Sequence, residues 1–245
     1  MSRIAVFAAL RWECAPVLRN LRRVRRETSG AFSAWRGASG ADEVVVIKTG
    51  VGPAHAATAA AALDLRDTAL VISTGCAGGL DPRLRAGDLV LASTVLDGET
   101  AWSTDAVVRA RAVTVASTAH LRVSQGAIRC SASVLVSPAD KARAAGGGAV
   151  AVEMEGGPIA AAAAATQVPF ISVRAVLDSA DEDLQVLTHF TNPLSGNLRP
   201  LALVQHVFSH PEAIANLLSL RRAQALTQGN LTKFFRAWFG RQRLL

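Results

Sequence analysis

Leu70-Val71-Ile72-Ser73-Thr74-Gly75-Cys76-Ala77-Gly78-Gly79 is the stretch from which the rest of the chain is read. Its opening is a short apolar run with β-branched members, the pattern of a strand buried on both faces. Its close is rich in glycine, which lets a backbone turn through positive φ and lets a ligand approach the main-chain amides. In α/β sheets, ligands gather where strands end. No Lys-Ser/Thr pair follows, so the stretch is not a P-loop. It is not a dinucleotide fingerprint either, because no GxGxxG stands at a strand–helix junction. By itself the segment 74–79 reads equally as a tight structural turn or as a loop holding a sugar, a base or a phosphate.

The flanking sequence repeats the theme. Residues 4–8 read as a strand and 13–24 as an amphipathic helix carrying Arg19, Arg22, Arg23, Arg25 and Arg26. Residues 44–48 read as a strand that ends in Thr49-Gly50-Val51-Gly52, after which Pro53 opens an alanine-rich helix, its favoured position. A strand is expected over 89–93. Another over 149–152 feeds a helix starting near Glu155, and a last one over 170–177 has Asp178 at its carboxyl end. Alternating strands and helices predict an α/β fold, a single domain whose mixed central sheet is flanked by helices.

At 245 residues, half of them hydrophobic, the chain is long enough for one substantial core but short for two. The expected organisation is a catalytic domain over 1–190 and a helical, basic extension over 191–245 packed on its edge. Pro193, Gly196, Pro200 and Pro211 break that extension into short helices, over 201–208 and 213–220.

Three scattered cysteines make neither a disulfide framework nor a zinc site, and point to a reducing, cytoplasmic setting. No uninterrupted apolar window is long enough to cross a bilayer. The formal charge of +7 is concentrated in the arginines near residue 22 and in Arg221, Arg222, Lys233, Arg236, Arg241 and Arg243. A solvated helix face is the plain reading of both clusters. Without zinc-finger spacing or an RNA-binding aromatic signature, nucleic acid is not an expected partner. Phe234, Phe235, Trp238 and Phe239 recur among the last basic residues at helical spacing. That pattern suits either a helix at the inner face of an anionic membrane or one docked on protein.

Four positions are candidates for chemistry. Glu153-Met154-Glu155 stands between a buried strand and a helix, where acidic residues favour the helix dipole. A carboxylate there can also accept hydrogen bonds from both hydroxyls of a ribose, with Met154 as an apolar surface for the sugar. Asp178 either closes its strand or is a buried acid whose raised pKa allows it to donate a proton near neutrality. Arg174, on the same strand, is a counter-ion that opposes this rise if it lies close. Glu13 is either a helix N-terminal acid or part of a site.

Taken together, Ala8-Ala9-Leu10-Arg11-Trp12-Glu13, Thr49-Gly50-Val51-Gly52, Thr74-Gly75-Cys76-Ala77-Gly78-Gly79, Ala151-Val152-Glu153-Met154-Glu155-Gly156 and Val173-Arg174-Ala175-Val176-Leu177-Asp178 resemble the nucleoside phosphorylase/nucleosidase superfamily. The nearest branch is that of the methylthioadenosine/S-adenosylhomocysteine nucleosidases. The resemblance implies that Asp178 protonates N7 of a departing purine and that Glu13 activates water. Glu155 and Met154 would hold the ribose, and Cys76, Ala77 and Gly78 would line the ribose and base. Leu135 would lie near the adenine, and Glu153 and Arg174 belong to the same substrate-binding set. It implies a homo-oligomer and no metal or organic cofactor.

Two departures stand out. Leu177 replaces the family's serine before the acid, so a hydrogen bond that orients the carboxylate is missing, and Cys76 replaces a serine. The phosphate-holding basic residues of phosphorolytic members have no counterpart near 74–79, which favours water as nucleophile. The long C-terminal segment resembles the hopanoid-biosynthesis branch, whose implied substrate is adenosylhopane, a lipid-linked nucleoside.

Overall fold

Ile4, Val6 and Ala8 pack to one side of the first strand and Ala5 and Phe7 to the other, and all five are buried. This two-sided burial recurs through the centre of the sheet and explains why its strands read as near-continuous apolar runs. The structure, a computed structural model, describes residues 2–29, 32–184 and 212–240. Its elements are β1 (Arg3–Ala8), α1 (Arg11–Leu18), β2 (Arg22–Ser29), β3 (Phe32–Ser39), β4 (Asp42–Lys48) and α2 (Pro53–Ala61). They continue with β5 (Thr68–Gly79), β6 (Leu89–Asp97), β7 (Thr100–Ser103), α3 (Ala106–Thr118), β8 (Val123–Cys130) and α4 (Pro138–Ala144). β9 (Ala149–Glu153), α5 (Gly156–Ala165), β10 (Phe170–Asp178) and α6 (Glu212–Gly240) complete the order.

The sheet is mixed, as expected. β1 pairs in parallel with β4 and β5, and β5 with β10, whereas β6 runs antiparallel to β10. β8 then pairs with β6 and β9, and β9 returns antiparallel onto Gly78 and Gly79 of β5. The strands β5, β10, β6, β8 and β9 thus close into a ring, which removes the unpaired edges an open sheet would leave there. β5 makes this possible by its length. Its first half has β1 as neighbour and its last two residues have β9. The stretch 74–79 is therefore strand, not a loop or a turn.

A second correction concerns the basic stretch near residue 22. The helix that starts at Arg11 ends at Leu18, and Arg22–Ser29 form a strand. Arg22, Arg23, Arg25 and Arg26 are exposed on that strand, which pairs only with β3 among the described residues. Exposed charges on an edge strand discourage pairing with another chain, so the arginines fit an edge as well as a helix face.

The C-terminal reading changes most. The expected helix over 213–220 is the start of one continuous helix, and that over 201–208 lies outside the described residues. α6 packs on α1, α3 and β10. Leu231, Phe234, Phe235, Trp238 and Phe239 are buried in the same core as β1 and β10. Phe234 stacks on Trp238 with ring centroids 5.9 Å apart, and Arg111 of α3 covers the Trp238 ring at 4.6 Å. Rings committed to the core are not available to a bilayer, so of the two docking readings the helix follows the one onto protein. Arg221, Arg222, Lys233 and Arg236 remain exposed on its outer side. Among the described residues no helix is long and apolar enough to cross a membrane.

Phe235→Ala should therefore lower the free energy of unfolding by about 3–5 kcal/mol, as for other buried aromatic truncations. Urea unfolding of the variant checks this, and a midpoint equal to that of the parent would contradict the buried placement.

Candidate active site

The site is assembled where strand ends meet. Arg174 of β10 lies opposite Gly75 of β5, and its guanidinium is buried between those strands and β9. Nη2 donates to Ser73 Oγ at 2.7 Å and is ion-paired with Glu153. Nη1 lies 3.8 Å from Glu155 Oε2. Glu13 approaches the same group from α1. Its Oε1 accepts from the Cys76 amide at 2.8 Å, and its Oε2 accepts from the Leu10 amide at 2.9 Å, capping its own helix. Glu13 thus closes its own helix with one oxygen and reaches β5 with the other.

This gathering requires glycine. A Cβ on Gly75, whose φ is +148°, would stand 2.6 Å from Glu13 Oε1 and 2.9 Å from Arg174 Nη1. Gly52 also has a positive φ, +96°, and its amide donates to Glu155 Oε1 at 2.8 Å. Met154 comes within 3.9 Å of where a Gly52 Cβ would be, so it shares a wall with Glu155.

Glu153 has a different situation. Its oxygens accept from the amides of Glu155 and Gly156 at 2.8–2.9 Å and from Arg174. Its carboxylate thereby caps α5 and neutralises the guanidinium, with its lone pairs engaged inside the protein.

One guanidinium faces three carboxylates here, so the cluster carries excess negative charge if all are ionised. Burial, followed by the charge of Glu153, pushes the Glu155 carboxyl up to about 7 against the partial relief offered by Arg174. Burial works against the Arg174 charge, but Glu153, Glu155 and Glu13 outweigh it and hold the guanidinium above its ordinary value. Burial, then Glu13, drive the Cys76 thiol well above its usual range, so it stays protonated.

Asp178 stands apart from this cluster at the end of β10. A Cβ on Gly78 would stand 3.2 Å from Asp178 Oδ2 and 3.2 Å from Val152 Cγ1. Ala77 is buried beside it in β5, and Leu135 packs with Leu80 and Val152 in the connection between β8 and α4. Burial raises the Asp178 carboxyl above its ordinary value, opposed by Lys141 and reinforced by Glu182. Lys141 Nζ is 2.6 Å from Asp178 Oδ2. Reading the sequence missed this lysine. Pro-Ala-Asp-Lys-Ala-Arg looks like a solvated helix, and Arg174, the cation suspected of opposing the rise, is occupied with the glutamates instead.

From Gly75, beside Glu13 and Arg174, to Gly78, beside Asp178, is three residues of strand, roughly 10 Å. The site therefore has two separate acidic centres, each with its own cation, joined by a stiff strand with little side chain on it.

Fold and centres together define an enzyme of the nucleoside phosphorylase/nucleosidase class. The chain belongs to the phosphorylase superfamily, whose family model matches residues 3–193. The 5′-methylthioadenosine/S-adenosylhomocysteine nucleosidase of Anoxybacillus flavithermus is 30% identical over 205 residues, 75% of this chain and 88% of that protein. The corresponding Neisseria meningitidis nucleosidase, solved with methylthio-immucillin-A, has a TM-score of 0.76 at 24% identity over 97% of this chain and 98% of that one. Futalosine hydrolase of Helicobacter pylori has a TM-score of 0.76 at 20% identity over 96% of each chain.

A raised carboxyl pKa has a definite stability signature. The folded protein holds the Glu155 proton more tightly than the unfolded chain does, so the contribution is complete below about 4.5 and is lost as pH rises towards about 7. Urea unfolding across that range should show stability falling with pH, and Glu155→Gln should flatten this component. An unchanged slope in the variant would assign it to other groups.

Proposed function

We propose that the enzyme hydrolyses the N-glycosidic bond of a 5′-substituted adenosine. The supporting observation is the separation of the Asp178 centre from the Arg174 cluster along β5. A purine reaching Asp178 places its ribose near Glu155, Met154 and Glu13. Asp178 donates its proton to N7 as the C1′–N9 bond breaks and the bonding pair moves into the purine. Glu155 accepts from the ribose hydroxyls, and the nearby negative charge stabilises the developing oxocarbenium ion. Glu13, held in place by the backbone amides of Leu10 and Cys76, takes the proton of the water that attacks C1′. Glu153 and Arg174 hold these groups in place, and Cys76, Ala77, Gly78 and Leu135 line the path between the centres.

The 5′ substituent is the finer question. Adenosylhopane, which resemblance of the C-terminal segment implies, is a 5′-substituted adenosine of this class, but α6 lends no membrane-facing aromatic surface to that choice. An adenine-release assay on analogues from methylthio to long alkyl decides it. Faster release from a long-alkyl analogue than from methylthioadenosine supports the lipid-linked substrate, and the reverse order removes it.

Asp178→Asn keeps the shape of the side chain but supplies no proton, so adenine release should fall by roughly 10²-fold or more. Near-normal turnover would remove Asp178 from the mechanism. Release should be independent of phosphate and leave a free anomeric hydroxyl. A strict phosphate requirement with a sugar 1-phosphate product would identify a phosphorylase.

A further inference from the structure

Lys141 is among the most deeply buried side chains of the protein, yet it sits on a two-turn helix whose neighbouring ion pair, Asp140 with Arg143, faces solvent. A buried ammonium is costly unless each of its donors is satisfied. Here all three are. Nζ is 2.6 Å from Asp178 Oδ2, and it donates to the carbonyls of Ser179 at 2.6 Å and Glu182 at 2.9 Å. The amide of Leu184 donates to the carbonyl of Val136 at 2.8 Å and ties the same two segments together again. One lysine therefore binds the carboxylate and the backbone that follows it to α4. Leu177, the residue before Asp178, has no hydroxyl with which to do so. Among the described residues, no hydrogen bond holds Oδ1.

We infer that Lys141 is the positioning residue of the acid: by pinning Oδ2 and the carbonyls of Ser179 and Glu182, it fixes the Asp178 carboxyl with Oδ1 turned to the purine. This inference rests on the proposed role of Asp178. Lys141 also has an electrostatic task. A buried carboxyl without a cation gives up its proton reluctantly, whereas a general acid works best with a pKa near the working pH. The charged groups facing Asp178 are Lys141 from α4 and Glu182 from the segment after β10. Of these, Lys141 favours the ionised form and Glu182 the protonated one.

The test is the pH dependence of kcat/KM for adenine release, whose alkaline limb follows loss of the Asp178 proton in the free enzyme. Lys141→Met should move that limb to higher pH by about one unit or more, the effect of removing a close opposite charge. Lys141→Arg should restore its position. Lys141→Gln keeps donors for the two carbonyls without the charge, and it serves the same comparison if the methionine variant fails to fold. An alkaline limb that stays in place in the folded neutral variants, with rates reduced equally at every pH, would make Lys141 a structural residue only. Asp178→Asn, assayed alongside, separates the two ideas. If it retains activity, the role of Asp178 itself falls. If it is inactive while the limb is unmoved by Lys141→Met, only the positioning role falls.

Discussion

A single guanidinium, that of Arg174, allows three carboxylates to share one dry interior. Without it, Glu13, Glu153 and Glu155 would repel one another at a place where water does not screen them. With it, each carboxylate is tied to a different part of the chain: Glu13 to α1 and β5, Glu153 to the start of α5, Glu155 to the turn before α2. The positions of those elements follow from where the charge on β10 sits. The absent side chain at Gly75 is part of the same arrangement, because the space it would fill is occupied by Glu13 and Arg174.

β5 acts as the ruler of the site. It is long enough to leave β1 and reach β9, and its last residues carry little side chain. A rigid strand between the Arg174 cluster and the Asp178 centre keeps the two charge groups from merging. Each centre has one cation of its own, and each cation is carried on a regular element, Arg174 on β10 and Lys141 on α4.

Most of this architecture could be read from the sequence, because strands buried on both faces advertise themselves by their Val and Ile content. β1, β4, β9 and β10 were recognisable on that ground, and so was the position of Pro53 at a helix start. What escaped has physical causes. β2 reads Arg-Arg-Val-Arg-Arg, and an exposed edge strand has no apolar alternation to show. The expected helix stopped at 220, whereas α6 runs on through Gly229, which is tolerated inside the helix because tertiary packing supplies what propensity does not. Lys141 was invisible for another reason: its burial is created by carbonyls 38 and 41 residues away. No local pattern reports a contact made at that range.

α6 also bears on when the enzyme becomes an enzyme. Gln228 donates to the carbonyl of Trp12, next to Glu13, and Thr227 to that of Val176, two residues before Asp178. The helix thereby braces both acidic centres from behind, with its aromatic end completing the core beneath them. During synthesis every candidate catalytic side chain leaves the ribosome long before the helix that seats it. A nascent chain already carrying Asp178 still lacks the surface against which β10 is buried. A chain that stops short of α6 leaves that face of β10 uncovered and both centres without their brace.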